Sequence, residues 1–143
     1  VRIKSYIELR GADSGPWGRL CALPAFWIGL LYDSDSLAAA WDMVKGWSEA
    51  ERIALYNAVP HKALHATIGG RTVREIADEL LKLSRAGLRR RKRFDGAGND
   101  ETGFLVPLQE IVASGITPAE RMLASYHGAW GGDVTKAFGE YSY

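Results

Sequence analysis

The sequence has little cysteine, almost no excess of charge and no long apolar run, and each shortage excludes a class of protein. One cysteine in 143 residues allows neither an internal disulfide framework nor a cysteine-rich zinc site. The 18 basic and 17 acidic residues leave a formal charge of +1, which argues against a dedicated nucleic-acid binder. The apolar run from Leu20 to Tyr32 is too short to span a bilayer. A hydrophobic content of 47% remains sufficient for the core of one globular domain.

The first ten residues alternate in polarity, which is typical of a β-strand because successive side chains face opposite sides. The face suited to a core carries Val1, Ile3, Ser5, Ile7 and Leu9. The polar face carries Arg2, Lys4, Tyr6, Glu8 and Arg10. A carboxylate can hold Mg²⁺ and a guanidinium can bind phosphate through two hydrogen bonds, so Glu8 and Arg10 are candidates for phosphoryl transfer from ATP. A solvated sheet face is the alternative, and it is what such alternation usually indicates.

The predicted strand over residues 1–10 has no obvious partner, because no comparable alternating run follows it. A lone strand leaves its backbone hydrogen-bonding groups unpaired. We therefore expect the strand to pair with another copy of the chain or to belong to a sheet in a missing N-terminal portion, and we favour the second. Residues 1–143 are then a single helical C-terminal fragment of a larger protein, whose strand belongs to the missing catalytic sheet.

From about residue 20 onward the sequence predicts helices. An apolar helix is expected from Pro24 to Tyr32, because proline is tolerated in a first turn. Asp33 to Ser36 offer N-caps for a helix through Trp41 to Trp47. Capping boxes open three further helices at Ser48, Thr72 and Thr117.

The ends of the later helices follow from proline and glycine. The Ser48 helix is expected to end before Pro60, and residues 60–71 are expected to form a loop. A helix from about Gly103 stops at Gly115, and Asp133 caps a last short helix. The predicted fold class is mainly α with one N-terminal β-strand.

The strongest charge signal is the basic cluster at 89–93, at the end of the longest predicted helix. Cations at a helix C-terminus complement the helix dipole, so a solvated, dipole-matched end is the interpretation we favour. The alternative is an anion site, which makes the chain a helical interaction or nucleic-acid-binding module.

Several motifs together resemble the C-terminal region of the glutamate–cysteine ligases of plants and proteobacteria. The longest is YIELRGADSGPW at residues 6–17, followed by RLCALPAFW at 19–27. The closing motifs are TPAE at 117–120, YHGAWG at 126–131 and EYSY at 140–143. The resemblance covers essentially the whole chain.

The resemblance implies an enzyme, an ATP-dependent ligase that joins the γ-carboxylate of glutamate to the amine of cysteine through γ-glutamyl phosphate. It implies the C-terminal part of a glutamine-synthetase-like α+β fold, with ATP and Mg²⁺ required. Carried onto this chain, Glu8 is a metal ligand and Arg10 is the catalytic, phosphate-contacting residue. Other metal ligands and substrate-binding residues lie upstream, so the fragment is expected to be inactive by itself.

The resemblance also sets expectations for regulation, partners and location. Cys21 matches a position linked to thiol-based redox control in the family. The expected partners are glutamate, cysteine, ATP and the missing N-terminal catalytic portion, with no nucleic acid and no membrane, and the sequence leaves a homodimer open. The expected location is the bacterial cytoplasm.

Overall fold

The computed structural model describes residues 2–3, 7–8, 12 and 15–142. Within them, short strands lie at β1 (Arg2–Ile3), β2 (Ile7–Glu8), β3 (Thr67–Ile68) and β4 (Arg71–Thr72). The α-helices are α1 (Trp17–Leu31), α2 (Ser34–Val44), α3 (Glu49–Lys62), α4 (Val73–Arg91), α5 (Val106–Ser114), α6 (Pro118–His127) and α7 (Lys136–Glu140). 3₁₀ turns occupy Ala63–His65 and Glu101–Leu105. The predicted class, mainly helical with a little β-structure, is confirmed.

The N-terminal segment is a hairpin and not the single long strand that we predicted. β1 and β2 pair antiparallel, with Arg2 opposite Glu8 and Ile3 opposite Ile7. The expectation of a strand unpaired within this chain is therefore wrong for the described residues. In this register even-numbered residues pair with even-numbered ones and odd-numbered with odd-numbered. A straight strand and an antiparallel pair therefore show the same alternation of polarity, so the sequence pattern could not distinguish them.

Helix α1 begins at Trp17, seven residues before the predicted start, and runs through Pro24. Proline removes only the hydrogen bond to the carbonyl of Leu20, and packing can offset that loss. Ala22 and Ala25, on either side of Pro24, are both buried. Tertiary packing has therefore overridden the local signal that we used to place the helix start.

Helices α1 and α4 cross closely and form the centre of the molecule. Gly29 and Gly87 lie at the crossing, where a Cβ on either residue would overlap backbone atoms of the other helix. The hydroxyl of Ser84 donates to the carbonyl of Phe26 across the same contact at 2.9 Å. The main core cluster is built around this crossing from Ala25, Leu81, Leu88, Leu105 and Val112.

All three predicted capping boxes are present, at Ser48, Thr72 and Thr117. The predicted loop over residues 60–71 is wrong, because α3 continues through Pro60 and a hairpin follows the 3₁₀ turn. Gly69 and Gly70 make that reversal with φ of 56° and 76°, the conformation that two-residue hairpin turns require.

The C-terminal elements lie at the periphery. Helix α5 ends at Gly115, as predicted, and this glycine has a φ of 70°. The last helix begins at Lys136, because the Asp133 side chain holds a turn at Thr135 that precedes it. Helix α6 has no buried residue and is not among the helices that pack closely on α1 and α4. Among the described residues, no helix is both long and apolar enough to cross a membrane.

Candidate active site

The structure describes part of the predicted active-site strand. Glu8 lies on β2, half-buried. Arg10 lies outside the described residues, so its predicted catalytic and phosphate-binding role stays a prediction. Beyond the strand, Gly15 is buried and Pro16 is the N-cap residue of α1. Glu8 and Cys21 are thus the predicted site residues that the structure places, on consecutive elements.

The described residues supply only part of a magnesium site. A carboxylate oxygen is the donor that Mg²⁺ prefers, and Glu8 provides that chemistry. No group of three histidine, cysteine, aspartate or glutamate side chains suited to a metal occurs in the described part of the chain. Glu8 therefore fits a metal-binding role only if further ligands come from elsewhere in the polypeptide.

A cleft of about 380 Å³ lies at the N-terminal end of α1, the helix that follows the candidate strand in sequence. Arg19 on α1 and Arg121 on α6 both line it, together with Glu110 of α5. Two guanidinium groups beside one carboxylate favour an anionic neighbour. Sequence reasoning missed this arrangement, because the two arginines are distant along the chain and only the packing of the helices brings them to one cleft.

Cys21 is half-buried in the second turn of α1, and its thiol is free. The sequence holds no second cysteine, so any disulfide of Cys21 needs a partner outside these 143 residues. The structure places the residue on the helix that follows the candidate strand in sequence but does not by itself assign it a reactive role.

Two members of the basic cluster at 89–93 form internal ion pairs. Arg90 donates to both carboxylate oxygens of Asp33, with Nε 2.7 Å from Oδ2, and also to the hydroxyl of Ser36 at 3.0 Å. Arg91 donates to Glu101 at 3.0 Å, and its guanidinium lies 5.9 Å from the ring centroid of Tyr32. The cluster therefore ties the end of α4 to neighbouring elements, which does not favour the nucleic-acid-binding alternative.

The contact with Arg90 also controls the charge of Asp33. The hydrogen bond from Arg90, followed by the one from the backbone N–H of Ser36, holds the pKa of the Asp33 carboxyl well below its usual range. The carboxylate therefore stays ionised throughout the physiological range and keeps its partners.

A larger cleft of about 830 Å³ between α4 and α5 is occupied by structural interactions. Arg74 donates to the carbonyls of Val112 and Ala113, at the C-terminus of α5. Arg85 donates to Gln109 at 2.6 Å, and Glu75 serves the capping box of α4. Each of these polar groups already has a structural partner in the chain, so the cleft does not compete with the strand as a reactive centre.

Comparison with known proteins identifies the class to which this helical segment belongs. A family model described as glutamate-cysteine ligase family 2 (GCS2) matches residues 1–140. The chain therefore belongs to this family, and the resemblance inferred from its motifs is confirmed.

The relatives match the entire chain. It is 48% identical over 143 residues to the chloroplastic glutamate–cysteine ligase of Arabidopsis thaliana, of which it covers 26%. It is 47% identical over the same length to the chloroplastic enzyme of Nicotiana tabacum, covering 26%, and to glutamate–cysteine ligase A of Oryza sativa subsp. indica, covering 28%. The chain thus spans about a quarter of the length of these relatives. The expected bacterial cytoplasmic location is wrong, because these relatives are chloroplastic plant enzymes.

Proposed function

We propose that this chain is the C-terminal portion of an ATP-dependent ligase that joins the γ-carboxylate of glutamate to the amine of cysteine. The observation that carries the proposal is the family match over residues 1–140, together with 46–48% identity to glutamate–cysteine ligases along the whole chain. This similarity is continuous and includes both the candidate strand and the helices that follow it in sequence. The same chemistry would be the first step of glutathione synthesis.

The proposed reaction has two steps. An oxygen of the glutamate γ-carboxylate attacks the terminal phosphorus of ATP, giving γ-glutamyl phosphate and releasing ADP. The amine of cysteine then attacks the activated carbonyl carbon, phosphate leaves, and the amine loses a proton as the amide bond forms. Charge accumulates on the transferring phosphoryl group in the first step, so catalysis depends on cations held in position around it.

The residues of this chain take two roles in that scheme. Arg10 would bind the transferring phosphoryl group through the planar fork of its guanidinium. Glu8 would hold Mg²⁺ through one carboxylate. When bound, the metal would neutralise phosphate charge. Because Glu8 is one ligand among several that Mg²⁺ needs, the 143-residue chain is proposed to be inactive without the rest of the ligase.

In this proposal, the helices that follow the strand in sequence stabilise it. Residues 1–143 form a single unit in this proposal, with the β1–β2 hairpin contributing to the catalytic sheet and α1 fixing the end of the strand. A two-stranded hairpin is marginally stable alone, so extension into a larger sheet is the arrangement that its backbone favours. Cys21, on α1, is proposed as the thiol through which redox conditions regulate the enzyme.

The test uses the full-length parent protein. It should form γ-glutamylcysteine from glutamate and cysteine only when ATP and Mg²⁺ are present, whereas the 143-residue chain should form none. Glu8→Gln should raise the Mg²⁺ concentration needed for half-maximal turnover, because it removes an anionic ligand. Glu49→Gln, on the exposed first turn of α3, is the matched control and should leave that concentration unchanged. A full-length protein without ligase activity on these substrates would contradict the proposal.

A further inference from the structure

Arg19 and Arg121 line one cleft although they belong to helices that are distant in sequence. We call this cleft, of about 380 Å³ between α1, α5 and α6, the arginine cleft. Among the described residues that line it, Glu110 supplies the single carboxylate. The lining therefore carries more positive than negative charge.

The two guanidinium groups of the arginine cleft have no charge partner within the described part of the chain. Three other arginines form ion pairs with carboxylates there, whereas Arg19 and Arg121 form none. Arg121 donates one hydrogen bond, at 3.3 Å, to the hydroxyl of Ser114, which is a neutral group. Glu110 is exposed and pairs with neither arginine. Both positive charges are therefore available to an anion.

Arg19 is half-buried near the start of α1, and its side chain lies against the backbone of Gly15. A Cβ on Gly15 would lie 3.2 Å from the Nε atom of Arg19, so the missing side chain leaves room for the arginine. This contact restricts the conformations open to the Arg19 side chain. Donors that are already held in place bind a ligand at a lower cost in entropy than freely moving ones.

The walls of the arginine cleft are largely apolar. Pro16, Pro107 and Pro118 line it together with Ile111. Proline has no N–H group and a fixed φ, so these walls add no backbone donor and have little backbone freedom. Charged hydrogen bonds are stronger beside apolar walls than in open water, because the local dielectric constant is lower.

The donors of the arginine cleft favour a phosphate group over a carboxylate. Tyr141, the C-cap residue of α7, lines the cleft, and within the described residues its hydroxyl has no hydrogen-bond partner. A carboxylate carries one charge and accepts hydrogen bonds near one plane. A phosphate group carries close to two charges near pH 7 and accepts from several directions. Two guanidinium groups and a hydroxyl on three separate elements match the phosphate group better.

We propose that the arginine cleft binds a small ligand through its phosphate group, which Arg19 and Arg121 hold with the Tyr141 hydroxyl as a third donor. The Glu110 carboxylate opposes the anion and lowers the affinity. The site uses side chains of α1, α5, α6 and the C-terminal segment. It goes beyond the proposed ligase activity, because that activity assigns no role to these residues.

The experiment titrates inorganic phosphate into the full-length parent by calorimetry, at constant ionic strength so that screening does not change. Arg19→Gln and Arg121→Gln should each raise the Kd for phosphate on the order of tenfold, because each removes charged hydrogen bonds. Arg93→Gln is the matched control, since this exposed arginine lies beyond the end of α4, and it should leave the Kd unchanged. Acetate should bind to the parent on the order of tenfold or more weakly than phosphate does.

Glu110→Gln should have the opposite effect on phosphate binding. It removes a negative charge from the lining, so the Kd for phosphate should fall by roughly threefold. A variant that fails to fold cannot bind more tightly than the parent. This result therefore separates a phosphate site from a general loss of structure.

Three results would overturn the proposal. No phosphate binding by the parent would show that the cleft is closed in the whole protein. Unchanged affinity in both arginine variants would place any phosphate site elsewhere. Equal affinities for phosphate and acetate would show a general attraction of anions. Ligase activity is assayed on the same preparations. The expected phosphate binding without γ-glutamylcysteine formation would contradict the proposed function alone, and an active ligase with unchanged affinities would contradict this site alone.

Discussion

Asp33 has two structural roles at the residue scale. It caps α2, because its side chain accepts a hydrogen bond from the backbone N–H of Ser36 at 2.8 Å. It also accepts hydrogen bonds from two guanidinium nitrogens of Arg90, in the last turn of α4. One carboxylate therefore joins the start of one helix to the end of another. Charged hydrogen bonds of this bidentate kind are stronger than neutral ones.

Asp33→Asn should lower the free energy of unfolding at pH 7, and the loss should shrink in acid. Asparagine is also a good N-cap, so the substitution mainly removes the charge that Arg90 binds. The folded-state pKa of Asp33 is depressed, so its stabilisation is complete above the unfolded-state pKa and is lost as pH falls towards the folded-state value. The free energies of unfolding of the two proteins, measured in urea, should therefore begin to converge below about pH 4 and approach each other further as the pH falls. A difference independent of pH would contradict the account.

Gly87→Ala should destabilise the protein by about 3 kcal/mol, near the upper end for overpacked sites. The added methyl group would overlap the carbonyl of Gly29, which is rigid backbone and cannot move without separating α1 from α4. Gly103→Ala is the control, because apart from the adjacent residues of the chain no atom lies within 4 Å of the added carbon. Urea denaturation measures both. Equal, small effects would mean that the two helices can separate at little cost.

At the element scale, the capping boxes show which parts of a fold are locally determined. Each box joins a side chain to backbone groups three residues away, so Ser48, Thr72 and Thr117 could be recognised from sequence alone. Pro24 and Pro60 misled the prediction because a proline limits a helix only when packing does not offset the lost hydrogen bond. The Gly69–Gly70 turn was visible in the sequence, but its two-residue strands are too short to show alternation.

Thr72→Ala should cost about 1 kcal/mol in global stability, the usual effect of removing an N-cap. Thr72 starts α4, which packs on α1, so fraying there weakens the main core. Ser48→Ala removes the same kind of cap from α3, a helix with no buried residue. Ser48→Ala should therefore lower the free energy of global unfolding by clearly less than Thr72→Ala does. Hydrogen exchange should instead show local opening of α3. Similar global losses in both variants would show that α3 is coupled to the core.

At the scale of the whole molecule, the core is built on α1 and α4, with lightly packed helices at its edge. A short antiparallel strand pair precedes it in the sequence. The class of fold could be predicted, because capping signals and helical spacing run through most of the sequence. The partners of Arg90 and the cleft shared by Arg19 and Arg121 could not be predicted, because they depend on how helices that are distant in sequence pack together.

The candidate site was predictable only in part. Alternation placed Glu8 on a polar strand face, but it did not distinguish a metal ligand from a solvated carboxylate. The roles of Glu8 and Arg10 came from the family motif, and the family itself is confirmed. In the proposed function, residues outside these 143 complete the active site, so sequence reasoning on this chain could identify only one edge of it.

The most direct test of the central claim is Arg10→Ala in the full-length parent, with turnover and thermal stability measured on the same protein. An arginine directed at a transferring phosphoryl group acts mainly on charge that develops during reaction, so its loss should lower the rate of γ-glutamylcysteine formation ~10²–10³-fold. The melting temperature should change little. Near-normal turnover would contradict the assignment of this strand to the active site. A large fall in melting temperature would show that Arg10 stabilises the sheet and does not act in the reaction.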